Sequence, residues 1–264
     1  ERLATLDIVS NGRAELATAR SNNMVTLNAF GVNPKETRAQ WEDSIAVLAK
    51  AFDEGPLEHD GPFWKIAPCE IIPRCIQKPH PPVWVAATSV ATHLRAAELG
   101  MGVFTFECYF GFDYLQECLD AYWNSVAAGA GIFPARTENT GIYIATAFCA
   151  EDRQYAIDTA RGVALGYFKF NREMYLDLAD KQGYEYLDAN IKGVLDRGEE
   201  PLEFLLDDTP SIMVGTPEHF INRLHCLEAM GVEEVLLRIE GVSHEQIMCS
   251  LELIGKEVIP MFHD

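Results

Sequence analysis

One short run of the sequence, 77–100, combines a strand, a hydroxyl-bearing turn and a helix. Its apolar stretch 83–87 has the length and composition of a strand buried on both faces. The stretch 90–99 has the pattern of a helix. A helix that begins just past a buried parallel strand directs its free backbone N–H groups toward the carboxyl end of the sheet, and Ser89 and Thr92 add hydroxyl donors. The predicted chemistry is anion binding; the alternative is that Ser89 only caps an ordinary helix.

The composition excludes several classes of function. The chain carries 21 basic and 40 acidic residues, and the net charge of −19 argues against binding to nucleic acid or to an anionic membrane surface. No apolar run approaches the ~20 residues that span a bilayer, and no signal peptide opens the sequence. The 7 cysteines show no C-x-x-C spacing, which indicates reduced thiols and no zinc site. We therefore expect a cytoplasmic protein without a metal centre.

Strands and helices alternate along the sequence. Five strands are predicted, at about 14–19, 83–87, 103–106, 141–148 and 234–239. Helices are predicted from residue 33, over 90–99, near 113–128, over about 152–180, from residue 216 and over 244–259. Repeated strand–helix units indicate an α/β fold with a parallel sheet, which leaves a doubly wound sheet and a barrel as alternatives. The mixed stretch 181–214 is expected to form an insertion.

Four segments together make the chain resemble the bacterial-luciferase-like flavin monooxygenases. In order they are ATLDIVSNGRAELATARS, AFGVNPKETRAQWEDSI, PPVWVAATSVATHLRAAELG, and VGTPEHF with the strand and helix that follow it. The resemblance implies a TIM (β/α)8 barrel that binds FMN or coenzyme F420. It also implies that residues 1–264 form a single barrel domain lacking its first three βα units, with about five of the eight strands present.

The activity implied by the resemblance is flavin-dependent monooxygenation. Reduced FMN would come from a separate flavin reductase, and a small organic substrate would be oxygenated through a C4a-peroxyflavin. A homodimer is implied as well. Two alternatives stay open, an F420-dependent oxidoreductase on the same fold and a non-catalytic flavin-binding or partner subunit. The substrate is not predicted, because loops select it in barrels. No catalytic base is predicted either, because the family's histidine near the flavin belongs to the units that precede the matched segments.

Matching the family's motifs residue by residue implies a flavin phosphate site. Arg20 ends the first strand and Arg38 lies in the first turns of the next helix, and both match positions that meet the phosphate. Planar guanidinium donors suit a doubly charged phosphate. The backbone of Thr88 and the hydroxyls of Ser89 and Thr92 match contacts on the other side of the phosphate.

The same resemblance implies a floor for the flavin ring. Ala86 and Ala87 match the strand under the isoalloxazine, where small side chains let a flat ring lie close. The reactive cysteine of bacterial luciferase corresponds to Ala19, so the role of that thiol does not carry over. Each assignment has a plain alternative: a strand-end ion pair for Arg20, a solvated helix face or a pair with a glutamate for Arg38, and core packing for the alanines.

Other chemically interesting residues are interpreted by position alone. Trp41 recurs at helical spacing with core residues and is predicted to be core rather than a flavin-stacking residue. His80 lies among prolines and is predicted to be structural. Phe106, Glu107 and Tyr109 follow a strand and are predicted to line the substrate side.

Two structural outcomes test this interpretation. The five strands should be parallel neighbours in chain order, whereas the order of a doubly wound sheet would contradict the family. Arg20, Arg38, Ser89 and Thr92 should converge on one pocket at the carboxyl end of the strands, whereas guanidinium groups on opposite faces would contradict the phosphate assignment.

Overall fold

The computed structural model describes residues 1–21, 23–107, 109–182, 184–187, 198 and 200–262. Residues 183, 188–197 and 199 of the predicted insertion therefore lie outside the described residues. In chain order the elements are α1 (Arg2–Val9), β1 (Leu16–Thr18), α2 (Met24–Ala29), a 3-10 turn (Pro34–Glu36), α3 (Thr37–Phe52), β2 (Leu57–Asp60), β3 (Lys65–Cys69), β4 (Val83–Ala87), α4 (Val90–Leu99), β5 (Gly102–Thr105), α5 (Phe112–Val126), β6 (Thr140–Ile144), β7 (Thr146–Cys149), α6 (Arg153–Ala179), α7 (Leu202–Asp207), β8 (Ile212–Gly215), α8 (Pro217–Ala229), β9 (Glu234–Leu237) and α9 (His244–Leu253).

A parallel sheet of five strands in the order β1-β4-β5-β6-β9 is the centre of the fold. All four pairings are parallel, so the prediction of parallel neighbours in chain order is confirmed. These five strands are the five that the sequence predicts, and the doubly wound alternative is wrong. Among the described residues β1 and β9 each pair with one strand of this sheet, so the sheet is not closed there.

Two further strand pairs were not predicted. Strands β2 and β3 form an antiparallel hairpin within the long connection that follows α3. The predicted strand 141–148 is divided at Ala145 into β6, which pairs with β9, and β7, which pairs in parallel with β8. Strand β8, Ile212–Gly215, lies inside the stretch that the sequence assigned to an insertion. The chain therefore changes strand partners at Ala145.

The two faces of the sheet have different environments, because successive side chains on a strand point to opposite faces. On the outer face Val83, Val85 and Val103 pack with Ile45 of α3 and Ala96 of α4 in a buried apolar core. The side chains of the opposite face line a cavity, among them Ala17, Ala86, Phe104, Tyr143 and Leu236. The helices thus cover one face of the sheet, and the other face is available to a ligand.

The helix ends follow the signals in the sequence. Ser89 caps α4 by accepting a hydrogen bond from the Thr92 N–H, and Gly100 ends the helix at φ +76°. Thr216 caps α8, with Pro217 at its first position. The predicted last helix, 244–259, is helical throughout but changes to a π-helix over Ile254–Val258. No helix of the described ranges is long and apolar enough to cross a membrane.

Replacing Trp41 with Ala tests its place in the core that supports β1. Trp41 is 9% exposed, and its Nε1 donates to Thr18 Oγ1 at 3.2 Å. Truncating a buried aromatic side chain should lower the free energy of unfolding by about 3–5 kcal/mol, which urea denaturation measures. Trp123→Ala is the control, since Trp123 is 37% exposed and should cost distinctly less. Equal losses would contradict the core assignment.

Candidate functional site

A cavity of about 1240 Å³ lies where the parallel strands of the main sheet end. Six of the seven residues proposed for the flavin site lie in its wall: Arg20, Arg38, Ala86, Thr88, Ser89 and Thr92. The two arginines come from the chain that follows β1, and the other four come from β4 and the start of α4. The structure therefore brings both guanidinium groups and both hydroxyls to one cavity, as the sequence predicts.

Arg20 lines this cavity and carries a donor without a partner among the described residues. Its Nη1 is buried and has no hydrogen-bond partner among the described residues. Its guanidinium carbon lies 5.4 Å from the centre of the Tyr184 ring. The strand-end ion pair considered as an alternative is not found in the described part of the chain. Since buried polar groups are normally paired, an anion in the cavity would satisfy this nitrogen.

Arg38 shares a carboxylate with a second arginine of the wall. Its Nε lies 3.5 Å from Glu42 Oε1, and Arg95 Nε lies 3.3 Å from the same oxygen. The alternative of a glutamate pair is therefore real for Arg38, although its side chain is 57% exposed and still lines the cavity. Sequence reasoning missed Arg95. The available signal was its position one helical turn after Thr92, on the same face of α4.

The N-terminus of α4 borders the cavity. Val90 and Ala91, the first helical residues, line the wall, so the free N–H groups of the first turn are near it. Ser89 Oγ lies 3.0 Å from Thr92 Oγ1 and accepts from the Thr92 N–H at 3.3 Å. The capping role of Ser89 is thus observed, and it leaves the hydroxyls of Ser89 and Thr92 beside a partly positive helix end.

His93 fixes this turn from below. Its Nδ1 donates to the Ser89 carbonyl at 2.9 Å, and its Nε2 accepts from Thr105 Oγ1 at 2.7 Å. The ring is fully buried, and burial lowers its pKa to about 4. The neutral imidazole therefore ties the start of α4 to the end of β5.

The two alanines of the predicted floor, Ala86 and Ala87, lie on opposite faces of β4. Ala17, Ala19 and Ala86 line the cavity, where their small side chains leave room for a flat ring. Ala87 does not, and its assignment as floor is corrected: its side chain is 1% exposed and packs on the opposite face of β4, in the core with Val83. The period of two along a strand explains the difference.

A second wall is aromatic, and only its Phe106 was predicted. It is formed by β5, β6 and α6, which contribute Phe104, Phe106, Tyr143, Tyr167, Phe170 and Met174. The Arg238 guanidinium lies 4.0 Å from the centre of the Tyr167 ring, and Arg238 Nη1 donates to the Ala145 carbonyl at 2.9 Å. Burial raises the pKa of the Tyr143 hydroxyl, whose neighbours include the Tyr167 side chain. The 167, 170 and 174 spacing on one helix face was the signal that could have identified the α6 residues.

The structure also shows the positions of the three residues predicted to line the substrate side. Phe106 lines the cavity, but Glu107 and Tyr109 do not, which corrects the substrate-side prediction for both. Glu107 is fully buried and accepts from the Gly111 N–H at 2.9 Å and from Thr209 Oγ1, and burial raises its pKa. Tyr109 is 1% exposed and packs edge-on against Phe168.

Two further sequence predictions concern His80 and a metal centre. His80 is structural, as predicted: its Nδ1 lies 2.7 Å from the Pro81 carbonyl and its ring stacks on Phe52 at 4.8 Å. Within the described ranges no cluster of histidine, cysteine, aspartate and glutamate side chains has the arrangement of a metal site.

A family model described as luciferase-like monooxygenase matches residues 1–234. The chain belongs to this family. The oxygenase component of the flavin-dependent trigonelline monooxygenase of Acinetobacter baylyi is 24% identical over 99% of this chain and 71% of its own length. The alkanal monooxygenase alpha chain of Photobacterium leiognathi is 26% identical over 100% of this chain and 75% of its own. The uncharacterized protein y4vJ of Sinorhizobium fredii is 33% identical, but over only 42% of this chain and 31% of that protein.

Solved structures show the same fold. The monooxygenase RslO1 from Streptomyces bottropensis has a TM-score of 0.75 at 21% identity, over 99% of this chain and 73% of its own. The oxygenating constituent of 3,6-diketocamphane monooxygenase from Pseudomonas putida, solved in complex with FMN, has a TM-score of 0.68 at 20% identity, over 98% of this chain and 73% of its own. The F420-dependent tetrahydromethanopterin reductase of Methanopyrus kandleri has a TM-score of 0.64 at 18% identity, over 99% of this chain and 78% of its own. The fold of this luciferase-like chain is therefore that of the TIM-barrel monooxygenases.

The luciferase-like site has the features that FMN requires. A buried guanidinium nitrogen without a partner among the described residues, two hydroxyls and a helix N-terminus suit a phosphate. Three alanines beside them suit a flat ring, and the cavity is larger than a typical pocket of about 300–1,000 Å³. The residues present therefore fit the cofactor that the family implies.

The buried His93 gives a test of the turn that carries Ser89. Because its folded pKa of about 4 lies below the ordinary value of 6.5, protons bind preferentially to the unfolded chain. The contribution of the neutral His93 to the free energy of unfolding is complete above pH 6.5, and it is lost as the pH falls toward 4. Between these values the free energy of unfolding should fall about 1.4 kcal/mol per pH unit more steeply for the wild type than for His93→Gln.

Urea denaturation of both chains at several pH values measures this difference. The subtraction removes the buried carboxylates, such as Asp7 and Asp43, which titrate in both chains. Parallel pH profiles of the two chains would show that His93 is not held neutral in the folded state.

Proposed function

We propose that this chain is the cofactor-binding part of a flavin-dependent monooxygenase, which takes reduced FMN from a separate reductase and oxygenates a small organic substrate. The observation that carries the proposal is that Arg20, whose buried Nη1 has no partner among the described residues, lines the same cavity as the N-terminus of α4. A relative named as an oxygenase component supports the reductase partnership. A fold neighbour in complex with FMN supports the cofactor.

The anion end holds the phosphate in this proposal. Arg20 and Arg38 supply guanidinium donors, and Ser89 and Thr92 supply hydroxyls beside the helix end. Hydrogen bonds to charged groups contribute about 1.5–3 kcal/mol each, so two or three of them contribute about 3–9 kcal/mol to phosphate binding. The local arrangement matters more than the net charge of −19, since the charges of the distant surface are screened within about 10 Å.

The remaining wall orients the ring and the substrate. Reduced FMN, when bound, supplies the electrons that activate O₂ for transfer of one oxygen atom. Ala17, Ala19 and Ala86 let the ring lie against the sheet. The aromatic wall excludes water and binds the apolar part of the substrate. The Tyr143 side chain, which lies in this wall beside Tyr167, adds a polar group to it.

An F420-dependent oxidoreductase is the second candidate. It is favoured by the fold similarity to the F420-dependent reductase of Methanopyrus kandleri, and the same anion end would receive the phosphate of a deazaflavin. The absorbance spectrum of the cofactor that co-purifies distinguishes the two. Oxygenation with a reductase and reduced FMN, against binding alone, distinguishes an enzyme from a non-catalytic flavin-binding subunit.

We also propose that residues 1–264 belong to a single barrel domain that three further βα units complete. The support is that β1 and β9 each have one strand neighbour in the main sheet of the described residues, and that the monooxygenase structures are covered to 73%. Leu236 of β9 is 54% exposed on the cavity side. Additional strands between β9 and β1 would pair both edges and cover this face.

Replacing Arg20 with Ala tests the phosphate site. Losing a charge-assisted hydrogen bond of about 1.5–3 kcal/mol should weaken FMN binding roughly tenfold to a hundredfold. The melting temperature of the apo protein should change little, because Nη1 has no partner among the described residues. Quenching of flavin fluorescence measures the affinity.

Arg161→Ala is the matched control for this substitution. Arg161 is exposed on α6 and is not in the wall of the cavity, so its loss changes the net charge equally. It should leave FMN affinity unchanged. Unaltered affinity in Arg20→Ala, or a large loss of apo stability, would show instead that Arg20 is a structural residue.

A further inference from the structure

Tyr184 contacts the end of β1 from a distant part of the sequence. It is 2% exposed, and its hydroxyl donates to the Ser21 carbonyl at 2.5 Å. The same hydroxyl lies 3.4 Å from Thr37 Oγ1, at the start of α3. Its ring faces the Arg20 guanidinium at 5.4 Å. Tyr184 therefore contacts both Arg20 and the residue that follows it.

The side chain of Tyr184 is fixed by packing. It belongs to a buried cluster with Leu27, Tyr175, Leu178 and Leu187. This cluster joins α2 to the end of α6. The ring that faces Arg20 is thus held by the core of the domain.

Tyr186, two residues on, contacts the other wall of the cavity. Its hydroxyl lies 2.5 Å from Thr88 Oγ1, at the end of β4. Both tyrosines line the cavity. The segment 184–187 therefore connects the two strand ends that supply the anion site, although β1 and β4 lie far from it in sequence.

A tyrosine face holds an arginine in a particular way. It attracts the cation through the ring's quadrupole and accepts none of the guanidinium N–H groups. A carboxylate partner would hold the same side chain but would compete with a phosphate for those donors. The Nη1 of Arg20, which has no partner among the described residues, matches the first arrangement.

We propose that Tyr184 is a positioning residue that preorganises Arg20 to bind the phosphate of the flavin. The inference rests on the proposed function, since it assigns a phosphate to the anion site. Arginine has a long side chain whose freedom is lost on binding, and a ring that already restricts it reduces this loss. Tyr184 acts through Arg20 and does not itself touch the phosphate.

The test compares two probes, FMN and riboflavin, which differ by the phosphate. The readout is the ratio of their affinities for the same protein sample, measured by fluorescence quenching. Both probes bind only folded protein, so the ratio is independent of a partial loss of folding. The affinity for riboflavin reports on the part of the site that does not contact the phosphate.

Two variants remove the ring, Tyr184→Leu and Tyr184→Met. In each, FMN binding should weaken about threefold to thirtyfold, which is the range of a cation–π contact, and riboflavin binding should stay within about twofold of the wild type. Tyr184→Phe keeps the ring and should keep most of the FMN preference. Adding Tyr184→Leu to Arg20→Ala should cause no further loss of FMN affinity, because the two residues act as one unit.

Leu178→Ala is the control for packing. Leu178 is fully buried in the same cluster as Tyr184 but has no polar group to offer to a ligand. It should leave the FMN-to-riboflavin ratio unchanged, even if the melting temperature falls. A ratio lowered equally by Leu178→Ala would overturn the positioning role, since packing alone would then account for it.

The remaining outcomes separate the inference from the function on which it rests. A wild-type protein that binds FMN no better than riboflavin would overturn the phosphate site and the positioning role together. A preference that Arg20→Ala abolishes and both ring-removing variants retain would overturn only the role of Tyr184. Loss of riboflavin binding in step with FMN binding would show that Tyr184 shapes the whole cavity instead.

Discussion

The parallel register of β1 and β4 is the constraint on which the rest of the site depends. Ala17 aligns with Trp84 and Thr18 with Val85, and the Thr18 hydroxyl donates to the Trp84 carbonyl at 3.1 Å. Because parallel strands end at the same edge, this register brings the chain after β1 beside the start of α4. Arg20 and Ser89 then lie in one cavity wall. A shift by one residue would exchange the cavity side chains with those of the outer core.

The same site combines the charged side chain of Arg20 with the neutral side chain of His93. The buried Nη1 of Arg20 has no partner among the described residues, and a buried donor left unpaired costs free energy. The group beneath α4 is the neutral imidazole of His93, which holds the turn by two hydrogen bonds without adding a second buried charge. At this site the buried donor that lacks a partner among the described residues belongs to Arg20, which lines the cavity, whereas the group beneath α4 is neutral. This is the pattern expected of a binding site and not of a structural ion pair.

Sequence reasoning identified the five strands of the main sheet because strands covered by helices are short apolar runs with recognisable helix caps after them. It missed β8, although its apolar residues precede the cap at Thr216, because the stretch before that cap was assigned to an insertion. It missed the hairpin β2–β3, whose sequences LEHD and KIAPC carry charges and a proline. Such strands form only through tertiary contacts, of which the local sequence contains no record.

The candidate site, like the strands, could be predicted from the sequence only in part. Residues fixed by one turn, such as Ser89 and Thr92, could be identified locally, and strand alternation alone could have separated Ala86 from Ala87. Arg95 required knowledge of which face of α4 meets the cavity. The aromatic wall and Tyr184 depend on how the distant α6 and the segment after it cross the sheet, which only the folded chain shows.

The division of the cavity between different elements explains how one fold can serve different substrates. The anion end comes from the chain after β1, from β4 and from α4, whereas the aromatic wall comes from β5, β6 and α6. The change of strand partner at Ala145 supports that wall, since Arg238 donates to the Ala145 carbonyl and stacks on Tyr167. Substitutions at Tyr167, Phe170 or Met174 therefore reshape the substrate side without moving the groups proposed for the phosphate. The cofactor end is constrained by strand register, and the substrate end by helix packing, which tolerates a change of side chain more readily than a sheet tolerates a change of register.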